Sequence, residues 1–281
     1  MLATLNDMLA DAQRGRYAVG LFNVVTIEQA EGVFQAAEAL RAPLIIGTAE
    51  RFLKHFPLEM LAGMLLDRAG SASVPVAVHF DHGCTFDGCM RALRLGFTSI
   101  MYDCSSMPYE DNVRRMAEIC RIAHAMGASV EGELGCVAGN EDGSAGHEPR
   151  AMMTDAALAG DFVRRTGVDA LAVSVGNAHG AYRLPPKLDF ELIEDIRNSV
   201  SVPLVLHGGS GLTDQDFSRA MDCGIAKINI FTDINAAQSE ACREALAAGK
   251  KSVMDFQALA IPAIRRAAEE KMRLFRSDGR C

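Results

Sequence analysis

The stretch "VPVAVHFDHG", residues 74–83, decides how the rest of the chain is read. Its first seven residues, Val74–Phe80, are mostly apolar and β-branched, as in a strand buried on both faces. Its end is the opposite: two histidines and an aspartate within four positions, His79, Asp81 and His82. Similar apolar runs recur at Ala18–Phe22, Pro43–Gly47, Ser99–Tyr102, Ser129–Glu133, Ala170–Val175, Pro203–Leu206 and Ala226–Ile230. Each is followed by a longer segment with helical periodicity, such as "TIEQAEGVFQAAEAL", "EDNVRRMAEICRIAHAMG" and "DAALAGDFVRRTG". Thr26, Thr154 and Thr213 read as N-caps, and Gly127, Gly167 and Gly224 as helix stops.

Eight strand–helix units with continuous apolar strands predict a parallel (β/α)8 barrel, an α/β fold. An extra helix precedes the first strand and a helical extension follows the last. The 281 residues are read as a single domain, 1–281. A doubly wound open sheet is the competing architecture. It is weakened because "GLFNVVT" follows the first strand where a G-x-G-x-x-G turn would stand.

Composition narrows the function. A formal net charge of −8 argues against a nucleic-acid partner. No apolar run reaches membrane-spanning length, and the acidic, amphipathic N-terminus does not read as a signal peptide, so a cytoplasmic location is expected. The eight cysteines (84, 89, 104, 120, 136, 223, 242 and 281) form no C-x-x-C pair and read mostly as buried free thiols.

In such a barrel, functional groups sit at the C-terminal ends of the strands. "HFDHG", "VSVGNAHGAY" and "LVLHGGSG" therefore bring His82, His179 and His207 to one rim from three strands. Three imidazoles with an open position form a catalytic zinc arrangement. His79 shares the strand face of Asp81, either to hold it or as core packing. Glu131 and Glu133 share a face of the fifth strand, so both are expected to face the barrel, one of them either supporting a ligand or serving as an alternate metal ligand. His55, His124 and His147 read as surface residues. Gly180 after His179, and Gly208, Gly209 and Gly211 around Ser210, with Asn229 and Thr232, suggest a phosphate cradle. The loop "CVAGNEDGSAGHEPR" is either a flap carrying Glu141 or a solvated acidic loop.

Taken in order, "HFDHG", "EGELG" with its acidic loop, "GNAHGAY", "LHGGSG", "KINIFT" and the terminal "KMRLFRSDGR" resemble the class II fructose/tagatose-bisphosphate aldolases. The resemblance implies a zinc-dependent TIM-barrel lyase of carbohydrate metabolism. Its substrate would be a phosphorylated sugar, a ketose (bis)phosphate split reversibly into dihydroxyacetone phosphate and an aldehyde. It implies His82, His179 and His207 as zinc ligands, Asp81 as the acid/base at the aldehyde oxygen, and Glu141 as the proton carrier at the triose carbon. Gly180, Gly209, Ser210, Asn229 and Thr232 match phosphate and triose positions, and Arg183 stands where many members have lysine. Asp103 and Glu133 match carboxylates near the metal. A monovalent cation (Na+ or K+) and a homodimer or homotetramer are also implied.

Phe231 departs from the pattern. Fructose-type members place an aspartate there and tagatose-type members a small residue, so an unusual aldehyde is expected. Other chemistries stay open: a metal-dependent hydrolase on the same barrel, a Schiff-base aldolase using Lys227, and a non-catalytic sugar-phosphate binder. A hydrolase would need paired histidines after the first strand, which are absent from "GLFNVVT". A Schiff base would leave the three histidines without a role.

Overall fold

The computed structural model describes residues 1–137, 152–178, 187–209 and 211–281. Its eight strands are β1 (Val19–Asn23), β2 (Leu44–Ala49), β3 (Val76–Gly83), β4 (Ser99–Tyr102), β5 (Ser129–Leu134), β6 (Ala170–Val173), β7 (Leu204–Leu206) and β8 (Ile225–Ile230). All pair in parallel and in sequence order, and β8 closes on β1 to complete the barrel. The open-sheet alternative is thereby excluded.

Helix α1 (Leu5–Gly15) precedes the barrel. The barrel helices are α2 (Ile27–Leu40), α3 (Leu58–Ser71), α4 (Phe86–Leu95), α5 (Tyr109–Ala125), α6 (Ala156–Thr166), α7 (Phe190–Ser199), α8 (Asp214–Cys223) and α9 (Thr232–Ala247). The extension is α10 (Val253–Leu274), which packs on α2 and α9. Gly32 lets α2 meet α10 closely, since a Cβ there would lie 2.7 Å from Ile264 Cγ2.

Thr26 and Thr213 cap α2 and α8 as expected, and Gly167 and Gly224 end α6 and α8 in left-handed conformation. Thr154 is a correction. Asp155 caps α6, because the Thr154 hydroxyl is already engaged, donating to the Leu134 carbonyl and accepting from the Ser174 amide.

Two apolar clusters hold the barrel in place. The larger lies between strands and helices and takes Val76, Val78 and Phe80 from β3. The smaller fills the lower barrel with Val19, Leu21, Ile45, Ala77, Ala170, Ala172, Val205 and Ala226. Leu5, Met8, Leu9 and Ala12 of α1 plug it from below. With its floor sealed by apolar side chains, the barrel interior turns polar above Ala77, where His79 and Asp81 follow at period two.

Gly47 makes this approach possible. It pairs with His79, and a Cβ there would lie 1.9 Å from the His79 carbonyl oxygen. Five of the eight cysteines are buried and free; Cys84 and Cys281 are exposed.

Candidate metal and acid/base site

β3 runs three residues past its expected end at Phe80, through Asp81 and His82 to Gly83. Regular alternation would turn His82 away from Asp81. His82 instead has φ of +43°, in the left-handed region, and the β3–β4 register shifts between Phe80 and Gly83. The side chains of Asp81 and His82 therefore reach one site from adjacent positions, with the His82 Nε2 4.0 Å from Asp81 Oδ2.

His207, at the end of β7, meets His82 there. Its Nδ1 lies 2.9 Å from His82 Nε2, and both residues are buried. The far nitrogen of each ring rests on a carboxylate: His82 Nδ1 is 3.2 Å from Asp103 Oδ2, and His207 Nε2 is 2.8 Å from Glu131 Oε1. Asp103 is held in turn by the amide and hydroxyl of Ser105. Burial, against the pull of Glu131, lowers the His207 pKa and favours a neutral ring.

This donor set fits a metal ion. A ring whose far nitrogen donates to a carboxylate presents a lone pair on its near nitrogen. Two such lone pairs facing each other at 2.9 Å repel unless a cation or proton lies between them. Asp81, His82 and His207 offer ligand atoms within 4.8 Å of one another, and so do His82, Asp103 and Glu133. Glu133 Oε2 is buried without a hydrogen-bond partner, 3.9 Å from His207 Nδ1. Burial and the neighbouring Asp103 charge push the Glu133 pKa up to about 8.

Asp81 is fully buried and held from both sides. Asn23, at the end of β1, donates to its Oδ2 at 2.7 Å, and Asn229 of β8 donates to its two oxygens at 3.2 and 3.3 Å. Burial alone would raise its pKa, but His82, His79, Lys227 and His207 outweigh that and hold it well below the usual carboxylate range. His79 bonds the Ser99 hydroxyl through Nδ1 and brings Nε2 to 3.6 Å from Asp81 Oδ1.

Gly209 is buried just beyond His207, and Thr232 opens α9. Glu141, His179, Gly180, Arg183, Ser210 and His147 lie outside the described residues. His55 and His124 are exposed, and His124 pairs with Asp169. Sequence reasoning missed Asn23, while Glu131, expected with Glu133 to face the barrel, stands behind His207. The one signal for Asn23 was its place as the first polar residue at the end of "GLFN".

Fold and cluster together define a barrel enzyme with a candidate metal centre at the C-terminal mouth of its strands. Residues 3–280 match the model of the family "Fructose-bisphosphate aldolase class-II". The fructose-bisphosphate aldolase of Geobacillus stearothermophilus is 40% identical over 287 residues, covering 99% of this chain and 98% of that protein. The crystal structure of the YdjI aldolase from Escherichia coli K12 is similar with a TM-score of 0.87 and 36% identity, over 100% of this chain and 99% of that one. A putative fructose-1,6-bisphosphate aldolase from Coccidioides immitis gives a TM-score of 0.90 at 29% identity, over 97% and 96% of the two chains. The chain belongs to the class II fructose-bisphosphate aldolase family and is an aldehyde-lyase of that metal-dependent class.

Proposed function

We propose that the protein is a zinc-dependent aldolase that reversibly cleaves a ketose (bis)phosphate into dihydroxyacetone phosphate and an aldehyde. The observation that carries this reading is the pair of carboxylate-backed imidazoles with a buried, ionised Asp81 beside them. His82, His207 and His179 would hold the zinc, with Asp103 and Glu133 as nearby carboxylates. When bound, zinc supplies Lewis acidity to the substrate carbonyl.

In cleavage, Asp81 takes the proton of the hydroxyl on the β-carbon. The bond between the α- and β-carbons breaks, the β-carbon leaves as the aldehyde, and the electron pair stays on the triose half. Glu141 delivers a proton to that carbon to complete dihydroxyacetone phosphate; condensation reverses each transfer. Asn23 and Asn229 keep the Asp81 oxygens aimed and ionised. Gly180, Gly209, Ser210, Asn229, Thr232 and Arg183 form the phosphate and triose positions, with a sodium or potassium ion nearby. The unit is one domain, working as a homodimer or homotetramer in the cytoplasm.

Phe231 supports an aldehyde other than the one a polar side chain would greet. It stands two residues beyond Asn229, and its ring packs on Phe52 with centroids 4.6 Å apart. An apolar pair at this place narrows the aldehyde half and leaves the triose half unchanged.

The test follows deuterium incorporation at the hydroxymethyl carbon of dihydroxyacetone phosphate, with zinc and after EDTA. Zinc-dependent exchange that is lost in Glu141→Ala is expected. Zinc-replete protein that exchanges nothing overturns the triose-phosphate reading.

A further inference from the structure

Lys227 is fully buried in the barrel interior, a costly place for an ammonium. Its Nζ lies 2.8 Å from Glu131 Oε2, across the barrel on β5, and donates to Asn229 Oδ1 at 2.7 Å on its own strand. Each partner uses its other polar atom on the site above. Glu131 Oε1 takes the His207 ring nitrogen, and Asn229 Nδ2 donates to Asp81.

The chemistry of an ammonium makes this arrangement directional. Lysine donates and never accepts. It therefore binds the oxygen of the Asn229 amide, which leaves the NH2 for Asp81; a flipped amide would set an oxygen against the Asp81 carboxylate. It likewise holds one Glu131 oxygen, which leaves the other for His207 Nε2–H and turns the Nδ1 lone pair toward His82. The deep group of His79, Asp81 and Glu131 thus has an internal cation as its counter-charge. Stability alone gives weak reason for the Lys227–Glu131 pair, because an apolar pair of similar volume packs such a core equally well.

We propose that Lys227 is a positioning residue that sets two parts of the site at once: the tautomer and aim of His207, and the amide orientation that holds Asp81. This rests on the function proposed above, but metal binding tests it without turnover.

Wild type, Lys227→Met, Glu131→Gln and Asn229→Ala are each titrated with Co2+, and cleavage of fructose 1,6-bisphosphate, the step assigned to Asp81, is then measured at saturating metal. Glu131→Gln should weaken Co2+ binding, and Asn229→Ala should lower the cleavage rate while leaving Co2+ affinity in place. Lys227→Met should carry both defects. Affinity falls ~10- to 100-fold with a changed visible spectrum, and the saturated rate falls at least ~10-fold while KM moves less than ~3-fold. Folded Lys227→Met with wild-type Co2+ affinity and spectrum overturns the proposal.

Lys227→Gln is read in the same way should the methionine variant not fold. Native metal-free protein offers a check without any variant: 15N shifts should place the His207 ring proton on Nε2, and a proton on Nδ1 overturns the His207 half of the proposal. Wild type that binds Co2+ but exchanges no triose phosphate overturns the functional reading instead, and the Co2+ spectra still decide the role of Lys227.

Discussion

His82 Nε2 and His207 Nδ1 face each other at 2.9 Å, although β3 and the end of β7 bring them from opposite halves of the chain. A divalent ion held by these two residues would bind the folded state and not the unfolded chain. Zinc added to EDTA-treated protein should therefore raise the melting temperature in a concentration-dependent way. His207→Ala should remove most of that gain, as differential scanning calorimetry with and without zinc would show. An unchanged zinc response in His207→Ala would refute the assignment of this residue as a ligand.

Asp81→Asn separates the two half-reactions. The amide keeps the size of the side chain and removes the base, so cleavage should fall by ~10²- to 10⁴-fold. Proton exchange at dihydroxyacetone phosphate, which the proposed mechanism assigns to Glu141 and the triose positions, should fall far less. Parallel loss of both would show that Asp81 also acts on the triose half.

Phe231→Asp tests the aldehyde pocket. The substitution removes the ring that packs on Phe52 and supplies the carboxylate that the resemblance to fructose-type members implies at this position. Turnover of fructose 1,6-bisphosphate should rise by tenfold or more, on the order of one good polar contact. Exchange at the triose carbon should be unaffected. Equal turnover of fructose 1,6-bisphosphate by both proteins counts against a role for Phe231 in specificity.

Glu133 gives the metal-free protein a pH signature. Burial and the neighbouring Asp103 charge push its carboxyl pKa up to about 8 in the folded state, against about 4.5 for an exposed glutamate. A raised carboxyl pKa means that the folded state holds the proton more tightly than the unfolded chain. Its contribution to stability is therefore greatest below about 4.5 and is lost progressively as pH rises to about 8. Glu133→Gln removes this dependence. In EDTA, the melting temperature of the variant relative to wild type should climb between pH 5 and pH 8, and a constant difference would contradict the shift.

Most of the fold was legible because eight buried strands need apolar, β-branched runs, and those runs mark themselves. His82, His207 and Asp81 were legible for a related reason: polar residues that end such runs all fall at one barrel mouth. Thr154 misled because two cap-competent residues stand side by side, and only tertiary contacts to Leu134 and Ser174 decide which is free to cap. The bridge from Lys227 to Glu131 was illegible for a deeper reason. It spans the barrel between strands that do not pair, and no local pattern records a contact across a closed interior.

The left-handed backbone at His82 has a mechanical consequence. Holding a non-glycine residue there costs about 1–2 kcal/mol, and the barrel carries that cost at the site itself. In return, a candidate metal ligand and the proposed proton carrier are joined by a single peptide bond. Breathing of the rim or rearrangement of the surrounding loops then displaces the two together, so the interval between them is covalent and does not depend on how the rest of the mouth moves.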